Sequence, residues 1–193
     1  MDIKSYIQDS IETKTKILND ASILSTIQNI ADAIVNAYKK DKKVLTAGNG
    51  GSAGDAQHIA GELVSKFFFD RPGLTAFSLA TDTSILTAIG NDYGYEKSFS
   101  RQIQANAKEG DVFIGISTSG NSKNIVLALQ EARKKGVITV GFVGQKECEI
   151  DNWCDYIIHV PSASTPTIQE SHIMIGHIIC ALVEEANFSK VGV

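Results

Sequence analysis

The sequence predicts an α/β fold, a doubly wound five-stranded parallel sheet covered on both faces by helices and preceded by a long helical segment. Short, wholly apolar runs alternate with segments of helical period, which is the βαβα order of a parallel sheet. The runs opening at Val44 and Val112 each end in a small-residue turn that leads into a helix, as strands do at the ligand-binding edge of an open α/β sheet. Size agrees: 193 residues and 20.8 kDa make one domain with a substantial core.

Residues 3–39 place Ile7, Ile11, Ile17, Leu18, Leu24, Ile27, Ile30, Ile34 and Val35 at helical spacing, as one long helix or two in tandem. Such a stripe must be buried, and a partner subunit is a natural place, so residues 1–40 are expected to serve oligomerisation. Val44-Leu45-Thr46-Ala47 forms the first strand, and Gly48-Asn49-Gly50-Gly51-Ser52 breaks it before a helix over residues 53–69. Arg71-Pro72-Gly73 turns the chain into a strand over 74–79. Asp82-Thr83 opens a short helix through Ile89, Gly90-Asn91-Asp92-Tyr93-Gly94 breaks it, and 95–107 form another helix. Residues 111–117 are the third strand, whose turn Ser117-Thr118-Ser119-Gly120-Asn121-Ser122 leads into a helix through Lys135. Strands over 137–143 and 156–160 complete the sheet, residues 161–166 stop the last of them, and an apolar helix spans 167–185.

Composition narrows the function. A net charge of −4 argues against a nucleic-acid footprint, which needs a clustered basic surface. The densest basic run, Lys39-Lys40-Asp41-Lys42-Lys43, reads as a solvated helix end. Cys148, Cys154 and Cys180 are odd in number and lack CxxC spacing, which suggests neither a disulfide framework nor a thiolate zinc site. Residues 1–20 are polar and amphipathic rather than a secretory signal, and no apolar run approaches the roughly 20 residues that span a bilayer. A soluble cytoplasmic protein is expected, with no membrane or nucleic-acid partner.

Two turns carry the chemistry. The glycine turn at 48–52 lets backbone N–H groups approach an anion, and the following helix adds the partial positive charge of its N-terminus. Its spacing fits neither the Rossmann fingerprint nor the P-loop. The second turn places four hydroxyls, from Ser117, Thr118, Ser119 and Ser122, where one would suffice to cap a helix. The first turn reads as a cradle for a phosphate or a polyhydroxylated ligand, and the hydroxyls of the second favour phosphate. Four residues apart on one helix face, His58 and Glu62 are open to three readings: a metal pair, an acid/base pair, or a satisfied polar pair at a subunit contact. On the last helix Gln169 and His177 stand two turns apart on neighbouring sides of an apolar stretch, where a polar group needs a partner. His172 lies well round from His177, and His159, in a strand, reads as structural.

Gly48-Asn49-Gly50-Gly51-Ser52, His58-Ile59-Ala60-Gly61-Glu62, Ala88-Ile89-Gly90-Asn91-Asp92, Gly115 through Ser122, and Ile168-Gln169-Glu170-Ser171-His172 through His177 resemble the phosphoheptose isomerases. These are sugar-isomerase (SIS) domain proteins that convert sedoheptulose 7-phosphate to D-glycero-D-manno-heptose 7-phosphate. The resemblance runs from about Ala21 to Phe188, with the motifs in the family's order. It implies a single flavodoxin-like SIS domain over residues 1–193, assembled as a homotetramer with active sites at subunit contacts. It also implies one Zn²⁺ per subunit, held by His58, Glu62, Gln169 and His177. Substrate contacts carry over to Asn49, Gly50, Gly51, Ser52, Glu62, Asn91, Asp92, Ser117, Thr118, Ser119, Ser122 and Gln169, and the catalytic pair to Glu62 and His177.

Aldose–ketose isomerisation needs a base at carbon and a proton shuttle at oxygen. Glu62 suits the first task and His177 the second; whether Glu62 detaches from zinc or zinc is mainly structural stays open at this point. The chain departs from the family's Asp-Thr-Ala-Arg-Ile-Gln run, reading Ser164-Thr165-Pro166-Thr167-Ile168-Gln169, and has Gly54 where alanine is more usual. A charge pair at the pocket rim is therefore expected to be missing. The main alternative is a non-catalytic SIS-domain binding protein of the kind that associates with the bacterial replication initiator; that relative lacks the glutamate and final histidine present here. An isomerase of arabinose or hexose phosphates, or a sugar-phosphate-sensing regulator, would carry an extra domain. The product of the reaction would feed activated-heptose synthesis for lipopolysaccharide core or capsule.

Overall fold

The computed structural model describes residues 2–188. Helices α1 (Ile3–Leu18) and α2 (Ala21–Tyr38) precede β1 (Val44–Gly48) and α3 (Gly51–Val64). Next come β2 (Ala76–Ser78), α4 (Thr83–Tyr93), a 3-10 turn (Tyr95–Lys97) and α5 (Ser100–Asn106). Then follow β3 (Val112–Ile116), α6 (Lys123–Lys134), β4 (Ile138–Gly144), a second 3-10 turn (Glu149–Trp153), β5 (Tyr156–Val160) and α7 (Thr165–Phe188).

All strand pairs are parallel, in the order β2-β1-β3-β4-β5. This is the flavodoxin-like order, and its switch point lies between β1 and β3, so the turns leaving those two strands flank one crevice. Alternate residues of each strand face opposite layers. Val44, Val112, Ile114 and Ile116 pack with α2, α3 and α7, while Leu45, Ala47 and Phe113 pack with α5 and α6.

Local chemistry sets the boundaries, and several differ from the sequence reading. Of the two arrangements expected for the N-terminal segment, two helices in tandem is the one formed, because Asp20 accepts hydrogen bonds from the N–H groups of Ser22 (2.9 Å) and Ile23 (3.1 Å) and so starts a new one. Helix α3 stops at Val64 instead of reaching residue 69. Beyond it, the N–H groups of Phe67 and Phe68 donate to the Glu184 carboxylate (2.8 and 2.6 Å) and not to helical carbonyls. Helix α4 runs through Gly90, Asn91 and Asp92 to Tyr93, since a glycine inside a helix weakens it without forbidding it. The expected helix over 95–107 is split where Ser98 and Phe99 turn inward and are buried. Helix α7 begins two residues early and takes Pro166 into its first turn, where no N–H is needed.

Candidate active site

The first bend is held from beneath. Thr46 of β1 donates its hydroxyl to the Ala56 carbonyl of α3 (2.7 Å), fixing that helix to the strand end. Gly50 sits at φ +56°, in the left-handed region that favours glycine, and no side chain caps α3. Ser52 is buried and its N–H donates to the Asn49 carbonyl (3.0 Å).

The second bend sits beside the first. Asn49 donates to Asn124 Oδ1, and the Asn124 amide donates back to Asn49 Oδ1, both at 2.9 Å. Tyr95 adds its hydroxyl to the same Asn49 oxygen at 2.8 Å. The buried Asn124, on the first turn of α6, therefore ties the bends together and holds the Asn49 side chain within the protein. Ser117 donates to the Ser122 hydroxyl (3.0 Å) and lies 3.4 Å from that of Ser119, whose oxygen accepts the Asn121 N–H (3.2 Å). Although Ser122 occupies the N-cap position of α6, it makes no capping hydrogen bond. These hydroxyls are thus not consumed by capping α6. Thr118 and Ser119 open onto a pocket also lined by Lys146 and Ser162. Asn91 and Asp92 hydrogen-bond each other (2.8 Å) on the exposed last turn of α4.

Helices α3 and α7 lie side by side and run in the same direction, because their contacts advance together. Gln169 lies against Gly51 and donates to Asp55 Oδ1 (3.3 Å), Gly176 packs on Ile59, and His177 meets His58. His58 Nε2 stands 2.9 Å from His177 Nε2 and 3.0 Å from Glu62 Oε1. One ligand atom from each of His58, Glu62 and His177 falls within 4.8 Å of the others. Three electron-rich atoms converge there with too few protons to satisfy every pairwise contact, an arrangement a shared cation relieves. A His₂-carboxylate donor set is also the one that catalytic zinc sites use when they keep a position open. Gln169, the fourth ligand that the resemblance implied, is eight residues from His177, about 12 Å along an ideal helix. Within one subunit its amide faces Asp55 and Gly51.

Asp55 was missed by sequence reasoning. It shares the α3 face with His58 and Glu62 at spacings of three and seven, a helical signal that was available. Burial pushes its carboxyl pKa up, opposed by the Gln169 hydrogen bond and by His58 nearby. Its Oδ2 is buried without a hydrogen-bond partner among the described residues. His172 is fully buried, 3.1 Å from the Val143 carbonyl, and His159 bridges Asp151 and the Gly144 carbonyl, each at 3.0 Å. Thr167 is buried and donates to the Ser164 hydroxyl (3.1 Å), so neither charge of the family's run has a substitute at these positions.

Comparison with known proteins adds chemistry to this geometry. Residues 5–144 match the SIS domain family. Over 186 residues the chain is 62% identical to the phosphoheptose isomerase of Aneurinibacillus thermoaerophilus, covering 96% of this chain and 94% of that protein. It superposes on the structure of a phosphoheptose isomerase from Francisella tularensis with a TM-score of 0.91 and 34% identity, over 95% of this chain and 96% of that one. The corresponding values for the Neisseria gonorrhoeae phosphoheptose isomerase are 0.88, 35%, 95% and 97%.

Proposed function

Because this chain belongs to the SIS-domain family, among its phosphoheptose isomerases, we propose that it interconverts D-sedoheptulose 7-phosphate and D-glycero-D-manno-heptose 7-phosphate through an enediol. The observation that carries this reading is the convergence of His58, Glu62 and His177, from two helices, on the helix pair that starts at the glycine bend. His58 lies seven residues beyond Gly51, about 10 Å along α3. That separation suits a sugar whose phosphate sits at the far end of the chain from its carbonyl. The phosphate belongs at the two bends, with Ser117, Thr118, Ser119 and Ser122 supplying hydroxyls and residues 50–52 supplying backbone; Asn49 contributes its backbone while its side chain holds the bend. Gln169, between the bends and the triad and held by the buried Asp55, faces the sugar hydroxyls.

Glu62 takes the proton from C1 of the ketose and returns it to C2 of the enediol. His177 carries the matching proton between the two oxygens. His58, Glu62 and His177 would hold a Zn²⁺ ion, Glu62 and His177 acting as base and proton carrier only when released from it; the ion would supply polarisation of the carbonyl and stabilisation of negative charge on the enediolate oxygens. The meeting of Glu62 and His177 favours the enzyme over a replication-initiator-binding relative, which has no use for that couple. The apolar α1 stripe and the solvent-facing position of the triad support assembly into a homotetramer with sites at subunit contacts. The enzyme is cytoplasmic, consistent with a sequence in which no described helix is long and apolar enough to cross a membrane, and its product supplies activated heptose for lipopolysaccharide core or capsule.

Incubating the purified chain with sedoheptulose 7-phosphate, with and without chelator, and following the aldose by NMR tests this directly. Glu62→Gln is expected to lower kcat by about 10²–10⁴-fold, the usual worth of a positioned acid or base. Near-native turnover in that variant, with zinc still bound, would remove Glu62 as the base.

A further inference from the structure

Glu62 lies in the last turn of α3, where main-chain carbonyls have no helical partner. A single guanidinium serves two of them, the Leu63 carbonyl also accepting the Leu74 N–H (3.0 Å). Arg71 donates from one terminal nitrogen to the Glu62 carbonyl (2.8 Å) and from the other to the Leu63 carbonyl (2.7 Å). That second nitrogen also reaches the Pro72 carbonyl (3.1 Å). Its Nε pairs with Glu184 Oε1 at 2.9 Å, and the two side chains are only 2% and 1% exposed. Glu184 stands on α7 seven residues beyond His177, two turns further along the same helix. Its carboxylate also takes the N–H groups of Phe67 and Phe68, closing the loop that leaves α3, and Phe67 in turn lies 5.7 Å from the His177 ring. Each oxygen of the carboxylate and each nitrogen of the guanidinium is therefore used, in a place that excludes water.

We infer that the buried Arg71–Glu184 pair is a positioning device for the reaction: it fixes the axial register of α3 against α7, and with it the Glu62 carboxylate against His58 and His177. Neither residue touches the reacting atoms. Register matters here because the catalytic groups come from two parallel helices, and a slide of one along the other would separate them. At the opposite end of the pair, Gln169 with Asp55 and Gly51 makes the matching contact, so the triad is held from both sides.

This inference rests on the isomerase reading, and two readouts keep the two apart. In Arg71→Lys the charge beside Glu184 remains, but an ammonium lacks the planar fork that reaches Glu184 and both helix-end carbonyls at once. The variant is expected to fold, to lose about ten- to a hundredfold in kcat through misplacement of Glu62, and to keep KM within about twofold because the phosphate bends lie at the other end of α3. Its His58 and His177 imidazole cross-peaks in ¹H–¹⁵N spectra should move while that of His172 stays. Glu184→Gln, which keeps an acceptor for Phe67 and Phe68, should give the same split and carries the test where Arg71→Lys does not fold. A folded variant with lowered thermal stability but wild-type kcat and unmoved imidazole signals overturns the inference. An inactive wild-type chain would instead remove the isomerase reading, leaving the imidazole signals to judge the positioning.

Discussion

His172 shows how a single residue can set the pH response of the fold. Its Nε2–H faces the Val143 carbonyl, while its Nδ1 is buried with no partner among the described residues. Burial holds its pKa down at about 4, against an ordinary value of 6.5. Between those values the unfolded chain binds a proton that the folded chain refuses, so stability is complete above pH 6.5 and declines as the pH falls toward 4. The loss amounts to about 3 kcal/mol at its limit, from a shift of this size. Urea unfolding of wild type and His172→Gln at pH 7 and pH 4.5 should show the gap between them narrowing in acid. Glu184 acts in a lower window. Burial pushes its carboxyl up, but hydrogen bonds from Phe67, Phe68 and Arg71 outweigh it and hold the pKa below 4.5. Its contribution is therefore present above pH 4.5 and is lost as the pH falls through the folded value. Both residues were unremarkable in the sequence, since nothing in spacing says which histidine is dry or which glutamate meets an arginine 113 positions away. By contrast His58, Glu62 and His177 were legible through their motifs, and the structure brings the three together.

Among the elements, the β3–α6 bend separates the proposed phosphate contacts from helix stability most cleanly. The Ser122 hydroxyl accepts from Ser117 and makes no capping bond, so its loss should leave α6 nearly intact. Ser122→Ala is expected to raise KM for the sugar phosphate about tenfold, the worth of one hydrogen bond to a charged group, with kcat little changed. Its thermal midpoint should stay close to that of wild type, because the Ser122 side chain makes no capping hydrogen bond for the substitution to remove. A large drop in stability with unchanged KM would return the residue to a structural role. Strands were readable as elements because buried parallel strands are continuous apolar runs. Helix ends were less so. The run Phe67-Phe68-Phe69 continues the apolar pattern of α3, yet its N–H groups are claimed by a carboxylate from the far end of the chain.

For the whole molecule, the question is what covers α1. Only Thr13 and Ile17 of that helix are buried, while Ile7 and Ile11 are 54% and 52% exposed on one stripe. A stripe of this kind is costly to leave in water, and a second copy of the chain is the proposed cover. Ile7→Asp/Ile11→Asp should lower the mass measured by analytical ultracentrifugation, and with it the activity if neighbouring chains complete the site. An unchanged mass would move the interface elsewhere. The sequence by itself determined the α/β class, the number of strands and the two hydroxyl- and glycine-lined bends. Each of these is written in local period or in turn chemistry, which short stretches of chain express on their own. Only the tertiary structure decided that α3 and α7 run in parallel, that Gln169 pairs with Asp55, and that Arg71, just beyond α3, forms a buried ion pair with Glu184 of α7. Such pairings join residues more than a hundred positions apart, and they are selected by burial and hydrogen-bond satisfaction in the folded chain, which no local pattern encodes.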